Sequence, residues 1–339
     1  MGRSQPGDYS KSWTPPKYSV DDDGKIIGGY VPPGLNNWGR WGAGDQIGTQ
    51  NLVGPQERKE AVKSVKTGKV FSLALAIDSQ APRFFTRPAP LHWMMMAGSD
   101  QVVGSPYAAI DPNFQWNDDM FQMPLQGSTQ WDAFSHVMYQ DTMYNGYWAG
   151  NVTAFGKAAV LGIQNHKTSF VGRGVILDIA RSEGHDQLPR NTVIDSAMLD
   201  RCLKKQQVQL ESGDMILLRT GYLNLWKADF NPQEQLHYFS GSPGLGISAL
   251  DWCHAGNVSA IASDTIAVEV FQPEDSNARR YPVHVGALVD LGLPLGEFWV
   301  LDELAADCDA DGQYTFMLVA PPLNIPGAVG SPINPIAIK

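Results

Sequence analysis

The stretch LQGSTQWDAFSH, residues 125–136, is the part of the chain from which fold and function can best be argued. Within it Gln126, Gln130, Asp132 and His136 follow one another at steps of four, two and four residues. In an extended or bulged segment, residues at even spacing point to one face. All four side chains are therefore predicted to reach a common point, where two amides, a carboxylate and an imidazole could hold a divalent cation beside a base.

Composition limits the classes of function that the chain can serve. With 339 residues, 43% of them hydrophobic and 18% charged, it is an ordinary globular protein with a sizeable core. A net charge of −10 argues against nucleic acid, because no Lys/Arg excess can neutralise phosphates. No apolar run approaches the roughly 20 residues of a membrane span. The absence of a secretory signal and three widely spaced cysteines predict a cytoplasmic protein with reduced thiols.

The order of predicted elements indicates an α/β protein. Residues 1–36 are polar and rich in Pro and Gly, which predicts an extended N-terminal arm ahead of one catalytic domain over residues 37–339. Helices and strands alternate through that domain, so a mixed β core flanked by helices is expected. The predicted strands are 70–77, 171–179, 214–219, 258–261 and 314–319, and the predicted helices are 55–65, 194–207, 248–254 and 282–291.

The region from residue 78 to 122 is long and irregular in its pattern, which is typical of a lid or pocket wall. It contains His92, Trp93 and the run Met94–Met96. Methionine and tryptophan offer adaptable apolar surface, so this segment is predicted to line a cavity or an interface. Ordinary packing is the alternative for each of these residues.

Several separated motifs, taken in order, resemble one known family. Taken alone, Asp132 and His136 are better explained as a structural pair. The chain is, however, similar to the cyclase-like metal-dependent hydrolases, which include bacterial kynurenine formamidases and isatin hydrolases and carry the pattern His-x-Gly-Thr-His-x-Asp-x-Pro-x-His. Asp132, Thr129 and His136 fall on its Asp, its Thr and its last His. Gln126 and Gln130 fall on its first two His residues. Further similar segments are 37–39, 44–52, 172–178, 282–284, 292–297 and 320–323.

The resemblance implies a single-domain cyclase-like (swivelling β/β/α) fold, a homodimer or higher homo-oligomer, and a set of metal ligands. The family's two motif His residues and its Asp bind one metal, and the Asp binds a second metal together with a late His and Glu. Asp132, His284 and Glu297 match the second set, and His136 matches the general acid/base. Because the spacing from His284 is one residue longer than the family suggests, Asp302 is an alternative to Glu297.

The two glutamines alter the expected metal. An amide oxygen is a weak, uncharged donor, whereas neutral imidazole binds Zn²⁺ well. We therefore expect one divalent ion per chain, Mn²⁺ or Zn²⁺, on Asp132, His284 and Glu297, with Gln130 and Gln126 as auxiliary donors. A chain that has lost its metal and uses both amides for substrate is the alternative.

The function implied by the resemblance is metal-dependent hydrolysis of the carbon–nitrogen bond of a small amide or lactam, or the opening of a lactone. His136 would be the general acid/base, and Trp131, Phe134, His92 and Trp93 would contact the small-molecule substrate. Two alternatives stay open. One is a cyclase, dehydratase or isomerase of a small metabolite that works without metal, and the other is a catalytically silent small-molecule binding protein.

Overall fold

The structure is a computed structural model, and it describes residues 16–84, 86–104, 113–271 and 281–339. The strands are β1 Ser19–Val20, β2 Ile26–Ile27, β3 Val70–Ser72, β4 Leu91–Met96, β5 Asp118–Gln122, β6 Gln130–Asp132, β7 Val152–Thr153, β8 Lys157–Ala158, β9 Val171–Asp178, β10 Val193–Ile194, β11 Met215–Arg219, β12 Gly244–Leu245, β13 Ala260–Ser263, β14 Leu295–Glu297, β15 Thr315–Val319, β16 Gly330–Pro332 and β17 Ile336–Ile338. The α-helices are α1 Pro55–Val62, α2 Gly98–Val102, α3 Ile179–Ser182, α4 Ser196–Gln206, α5 Pro232–Phe239, α6 Ser248–Ala255, α7 Pro282–His284 and α8 Asp302–Asp311. A π-helical segment, Val285–Leu291, continues α7.

A mixed nine-stranded sheet is the centre of the fold, in the order β16-β6-β14-β13-β11-β9-β15-β17-β3. Strands β14, β13, β11 and β9 are parallel neighbours, and the strands on both sides of them pair antiparallel. All five residues of β11 are buried, as expected for a parallel strand covered on both faces. The predicted mixed α/β domain is confirmed.

Alternation along the central strands feeds two apolar cores, one on each face of the sheet. Ile216 and Leu218 pack into a cluster that also takes side chains from α3, α4 and α6. Met215 and Leu217 point the other way and join a cluster with Trp131, Trp299 and residues of α8. Successive residues of a strand face opposite sides, so one short apolar run supplies both cores.

Most predicted elements are present with shifted ends. The strand predicted over 70–77 ends at Ser72, and the helix predicted over 282–291 begins as α7 and becomes π-helical. The described part of the N-terminal arm, residues 16–36, forms the β1–β2 hairpin and lies against the domain, where Tyr30 Oη donates to Asp290 Oδ1 at 2.7 Å. Residues 1–15 of the arm lie outside the described residues.

The region 78–122 contains ordered elements. Strands β4 and β5 form an antiparallel hairpin whose side chains are mostly exposed, and α2 follows β4. Across the described ranges, the chain has no helix with the length and apolar character needed to cross a membrane.

Candidate metal and catalytic site

Pairing of β6 with β14 creates the centre of the site. In this antiparallel pair Gln130 lies opposite Glu297. Gln130 Nε2 donates to Glu297 Oε2 at 2.8 Å and lies 3.5 Å from Asp132 Oδ1. Gln130 and Asp132 are two residues apart and share a face of the sheet, as the even spacing predicted.

A threonine and a strained residue fix the chain around Glu297. Thr129 Oγ1 donates to the carbonyl of Phe298 at 2.5 Å and accepts from the Leu75 N–H at 2.9 Å. Phe298 has a left-handed backbone with φ 58°, a conformation that costs a bulky residue roughly 1–2 kcal/mol. The fully buried Phe298 ring and the Thr129 hydroxyl hold this turn, which ends the strand directly after Glu297.

His284 is held by a carboxylate that sequence reasoning missed. Glu269 Oε2 lies 2.5 Å from His284 Nδ1, and Glu269 also accepts from the backbone N–H groups of His284 and Val283. Such a contact places the ring proton on Nδ1 and directs Nε2 away from Glu269. Nε2 lies 3.6 Å from Glu297 Oε1.

The segments that carry Glu269 and His284 are also strained. Val268 has φ 58° and Tyr281 has φ 55°, both in the left-handed region that such side chains rarely adopt. With Phe298, each of these residues lies within three positions of Glu269, His284 or Glu297. Unusual backbone of this kind concentrates at functional sites, where the surrounding fold enforces it.

Asp132, His284 and Glu297 form a buried group that could hold a metal ion. Each offers one ligand atom, and these atoms all lie within 4.8 Å of one another. Asp132 Oδ2 and Gln130 Oε1 are buried without a hydrogen-bond partner among the described residues. A buried carboxylate oxygen without a partner is costly, and a cation bound there would satisfy it. A histidine with two carboxylates therefore fits a divalent ion.

The electrostatics also favour positive charge at this point. Burial raises the pKa of the Asp132 carboxyl to about 6; Glu297 adds to this, and the charges of His136, His284 and Arg87 oppose it. Burial disfavours the charged His284 ring, but the adjacent carboxylates of Glu269 and Glu297 outweigh burial and raise its pKa to about 10. The carboxylates thus hold a proton on His284 that a metal ion would replace.

His136 lies at the border between this buried group and solvent. It follows β6 in a turn, in which its N–H donates to the Ala133 carbonyl at 2.9 Å. Its side chain is 26% exposed, and Nε2 lies 3.9 Å from Asp132 Oδ1. A histidine in this position can exchange protons with solvent and still reach an atom bound beside Asp132.

A cavity of about 520 Å³ opens onto the site, a size that suits a small organic molecule. His136, His284 and Glu297 line it together with mostly apolar residues: Phe84, Arg87, Val137, Met138, Tyr139, Ile266, Ala267, Phe271, Tyr281 and Val285. Phe84 and Arg87 come from the irregular region predicted to form a pocket wall. The polar side chains thus lie at one end of the cavity, and aromatic and aliphatic side chains form its other walls.

Two predicted substrate contacts belong to the core, so that part of the prediction is wrong. Trp131 is 0% exposed, stacks on Phe170 with ring centroids 4.3 Å apart, and donates Nε1–H to the Ala320 carbonyl. It points away from the site because it stands between Gln130 and Asp132 in a strand. Phe134 is equally buried and packs against Tyr144.

The predicted contacts His92 and Trp93 also lie elsewhere. Both are on the exposed β4–β5 hairpin, where His92 Nε2 lies 2.6 Å from Asp119 Oδ2. Neither is among the described residues that line the cavity of this chain. Their predicted role as substrate contacts stays a prediction.

Glu297, and not Asp302, lies beside Asp132 and His284. Asp302 Oδ1 accepts from Arg219 Nη2 at 2.7 Å and from Arg219 Nε at 2.9 Å, at the start of α8. It is used in that ion pair, whereas Glu297 joins Asp132 and His284. Gln126 lies in the turn before β6, where its carbonyl accepts from Arg87 Nη1 at 2.7 Å and its buried Nε2 has no partner among the described residues. The role of Gln126 as an auxiliary metal donor stays a prediction.

Comparison with known proteins identifies the family. A family model described as "Putative cyclase" matches residues 71–270. A solved structure of a novel cyclase is 44% identical, with 90% of this chain and all of that chain covered and a TM-score of 0.83. The chain belongs to the cyclase family. Curated proteins yield no match.

More distant solved structures share the fold alone. Isatin hydrolase A from Labrenzia aggregata, solved with benzyl benzoate, is 17% identical over 82% of this chain and 94% of its own, with a TM-score of 0.53. An isatin hydrolase bound to the product analogue thioisatinate is 15% identical over 85% of this chain and 99% of its own, with a TM-score of 0.54. The family resemblance drawn from the sequence is confirmed.

Proposed function

We propose that this cyclase-family protein is a metal-dependent hydrolase of a small amide, lactam or lactone, with carbon–nitrogen bond cleavage as its principal reaction. The observation that carries the proposal is the buried group of Asp132, His284 and Glu297 beneath an apolar cavity, with His136 beside it. The distant isatin hydrolases agree with this choice of reaction, and their likeness supports the fold.

Asp132, His284 and Glu297 would hold one divalent ion, Mn²⁺ or Zn²⁺. When bound, such an ion acidifies a water molecule and polarises a carbonyl group. Gln130 donates its N–H to Glu297 in this structure. Rotation of its amide by about 180° would instead direct Oε1 toward an ion bound by the carboxylates, as an auxiliary ligand requires.

The residues of the chain supply the proton transfers and the enclosure. His136 would accept a proton from the attacking water and return it to the leaving nitrogen or oxygen, since its ring lies between solvent and Asp132. Glu269 would keep His284 in one orientation through its contact with Nδ1. The apolar cavity walls would bind an aromatic substrate and exclude bulk water.

A cyclase, dehydratase or isomerase that works without metal is the second candidate. Gln130 favours it, because its amide N–H already donates a hydrogen bond to the buried Glu297 carboxylate, which therefore depends less on a bound cation. In that reaction His136 would still move the proton. A silent binding protein would keep the cavity and need neither metal nor His136.

Metal content tests the first proposal. We would measure Mn, Zn, Fe and Mg by mass spectrometry on protein purified without chelator, for the wild type, Asp132→Ala and Asp119→Ala. Asp119 belongs to an exposed Asp–His pair on the hairpin and serves as the matched control. The same samples would be assayed for hydrolysis of aryl amides, lactams and lactones.

About one ion per chain in the wild type and in Asp119→Ala, lost in Asp132→Ala together with hydrolysis, is the expected result. Absence of metal even after incubation with Mn²⁺, Zn²⁺ and Mg²⁺ would overturn the metal-dependent mechanism. The metal-free enzyme and the binding protein would then remain, and conversion of a substrate would show that the protein is the enzyme.

A further inference from the structure

We infer that Arg87 forms a carboxylate-binding subsite in the cavity, so that the substrate is an aryl amide, lactam or lactone bearing a carboxylate. The inference rests on the proposed function, because the scissile group is taken to lie at Asp132, His284 and Glu297. Arg87 lines the same cavity as His284 and Glu297. Among the described lining residues, its side chain is the one that is permanently cationic.

The guanidinium of Arg87 is anchored and still has donors to offer. Nη1 donates to the Gln126 carbonyl at 2.7 Å, which fixes the group relative to the segment that carries Gln130 and Asp132. No ion pair joins Arg87 to a carboxylate of the described residues. A guanidinium has about five N–H donors in a rigid fork, so donors remain for a carboxylate.

Other arginines of the chain show what a structural role looks like. Arg83, four residues earlier, donates to the Ser79 carbonyl and does not line the cavity. Four further arginines are paired with Asp or Glu side chains: Arg173, Arg181, Arg201 and Arg219. Arg87 lies in the cavity wall and makes no ion-pair contact with a described acid, although its charge acts on Asp132 from a greater distance. A guanidinium placed in this way can bind the carboxylate of a ligand.

Charge and shape in the cavity support the same class of ligand. A divalent ion and Arg87 together would balance the carboxylates of Asp132, Glu297 and Glu269, so no net negative charge would oppose an anionic ligand. Phe271 and Tyr281 pack edge to face at 6.3 Å, and Tyr281 approaches the His284 ring at 6.2 Å. These aromatic side chains extend to His284, one of the three residues that could hold a metal ion, and they suit contact with a planar ring.

Binding of matched neutral and anionic ligands tests the subsite. The probes are acetanilide and the three positional isomers of acetamidobenzoate, titrated calorimetrically into Mn²⁺-loaded wild type, Arg87→Met, Arg87→Lys and the control Arg83→Met. We expect at least one isomer to bind about 10- to 100-fold more tightly than acetanilide to the wild type and to Arg83→Met. Arg87→Met should remove this preference and leave acetanilide binding unchanged, and Arg87→Lys should keep part of it.

Equal binding of acetanilide and all three isomers, or a preference that survives in Arg87→Met, would overturn the inference. A carboxylate that binds to the metal ion would give the second result. If Arg87→Met also loses acetanilide, Arg87→Lys decides: a reduced but remaining preference there, with normal binding of acetanilide, supports the subsite, and equal loss of both ligands contradicts it. Hydrolysis is measured separately, on the bound isomer and on aryl amides, lactams and lactones that bear a carboxylate. Arg87-dependent binding without turnover of any of them would count against the hydrolase proposal and not against the subsite.

Discussion

Glu269 and His284, fifteen residues apart in the chain, are joined by a contact of 2.5 Å between Oε2 and Nδ1. Because this contact fixes the ring that would bind metal, Glu269→Gln should weaken Mn²⁺ binding by about 10- to 100-fold while the fold is retained. Isothermal titration calorimetry of the metal measures this. Glu303→Gln, an exposed acid in the first turn of α8, is the matched control. Unchanged affinity in Glu269→Gln would show that the pair only stabilises the fold.

His136 should be needed for turnover and not for metal binding. It lines the cavity and lies 3.9 Å from Asp132, outside the buried group of ligand atoms. His136→Asn is expected to lower kcat by about 100- to 10,000-fold with normal metal content. His185→Asn, which changes an exposed histidine, should behave as wild type. Full activity in His136→Asn would contradict both the hydrolase and the metal-free enzyme.

His166 should make stability depend on pH under mildly acidic conditions. It is buried between Phe134 and Phe170, and burial lowers its pKa from 6.5 to about 4. The unfolded chain therefore binds more protons than the folded chain between pH 6.5 and about 4, and stability falls as the pH falls through this window. The expected contribution to the slope is about 1.4 kcal/mol per pH unit.

Urea unfolding of the wild type and His166→Phe at several pH values measures this effect. The variant should show a shallower loss of stability between pH 6.5 and 4, since phenylalanine fills the same aromatic site and does not titrate. Parallel pH profiles for the two proteins would rule out His166 as the source.

The β4–β5 hairpin is expected to be an interface between copies of this chain. Leu91, Trp93 and Met120 are exposed on one face of these adjacent strands, which gives a single chain a sizeable apolar patch in water. Light scattering after size exclusion should show a homodimer or larger, and Leu91→Asp with Met120→Asp should reduce its mass. Phe155→Asp, an exposed phenylalanine in the β7–β8 turn, is the control. A monomeric wild type would refute the interface.

The ligand group could be predicted because its members sit in recognisable motifs. Asp132, His284 and Glu297 were placed by resemblance across separated segments, and the structure brings them together. Even spacing held for Gln130 and Asp132, which lie within β6. It did not extend to His136, since the strand ends at Asp132 and a turn follows. The same alternation places Trp131 on the opposite face, a signal that the sequence contained.

Glu269 and Arg87 were not predicted, for a physical reason. Their roles depend on which loops lie next to β6 and β14 in the folded chain. The local pattern of the sequence does not predict these long-range contacts. The sequence does contain a signal for Glu269, because this residue is a lone acid in the apolar segment 266–270. A buried acid needs a partner, so such a residue is a candidate for a site. Arg87 lies in a loop rich in proline and arginine, and no comparable sequence signal marks it.

The left-handed backbone at Val268, Tyr281 and Phe298 bears on how this region fluctuates. Each of these residues would release about 1–3 kcal/mol if its segment opened locally. Local unfolding should therefore start near the site, and amide hydrogens there should exchange before those of β9 and β11. A ligand that bridges Asp132, His284 and Glu297 would oppose this local unfolding. Slower amide exchange confined to these segments would therefore indicate that the site is occupied.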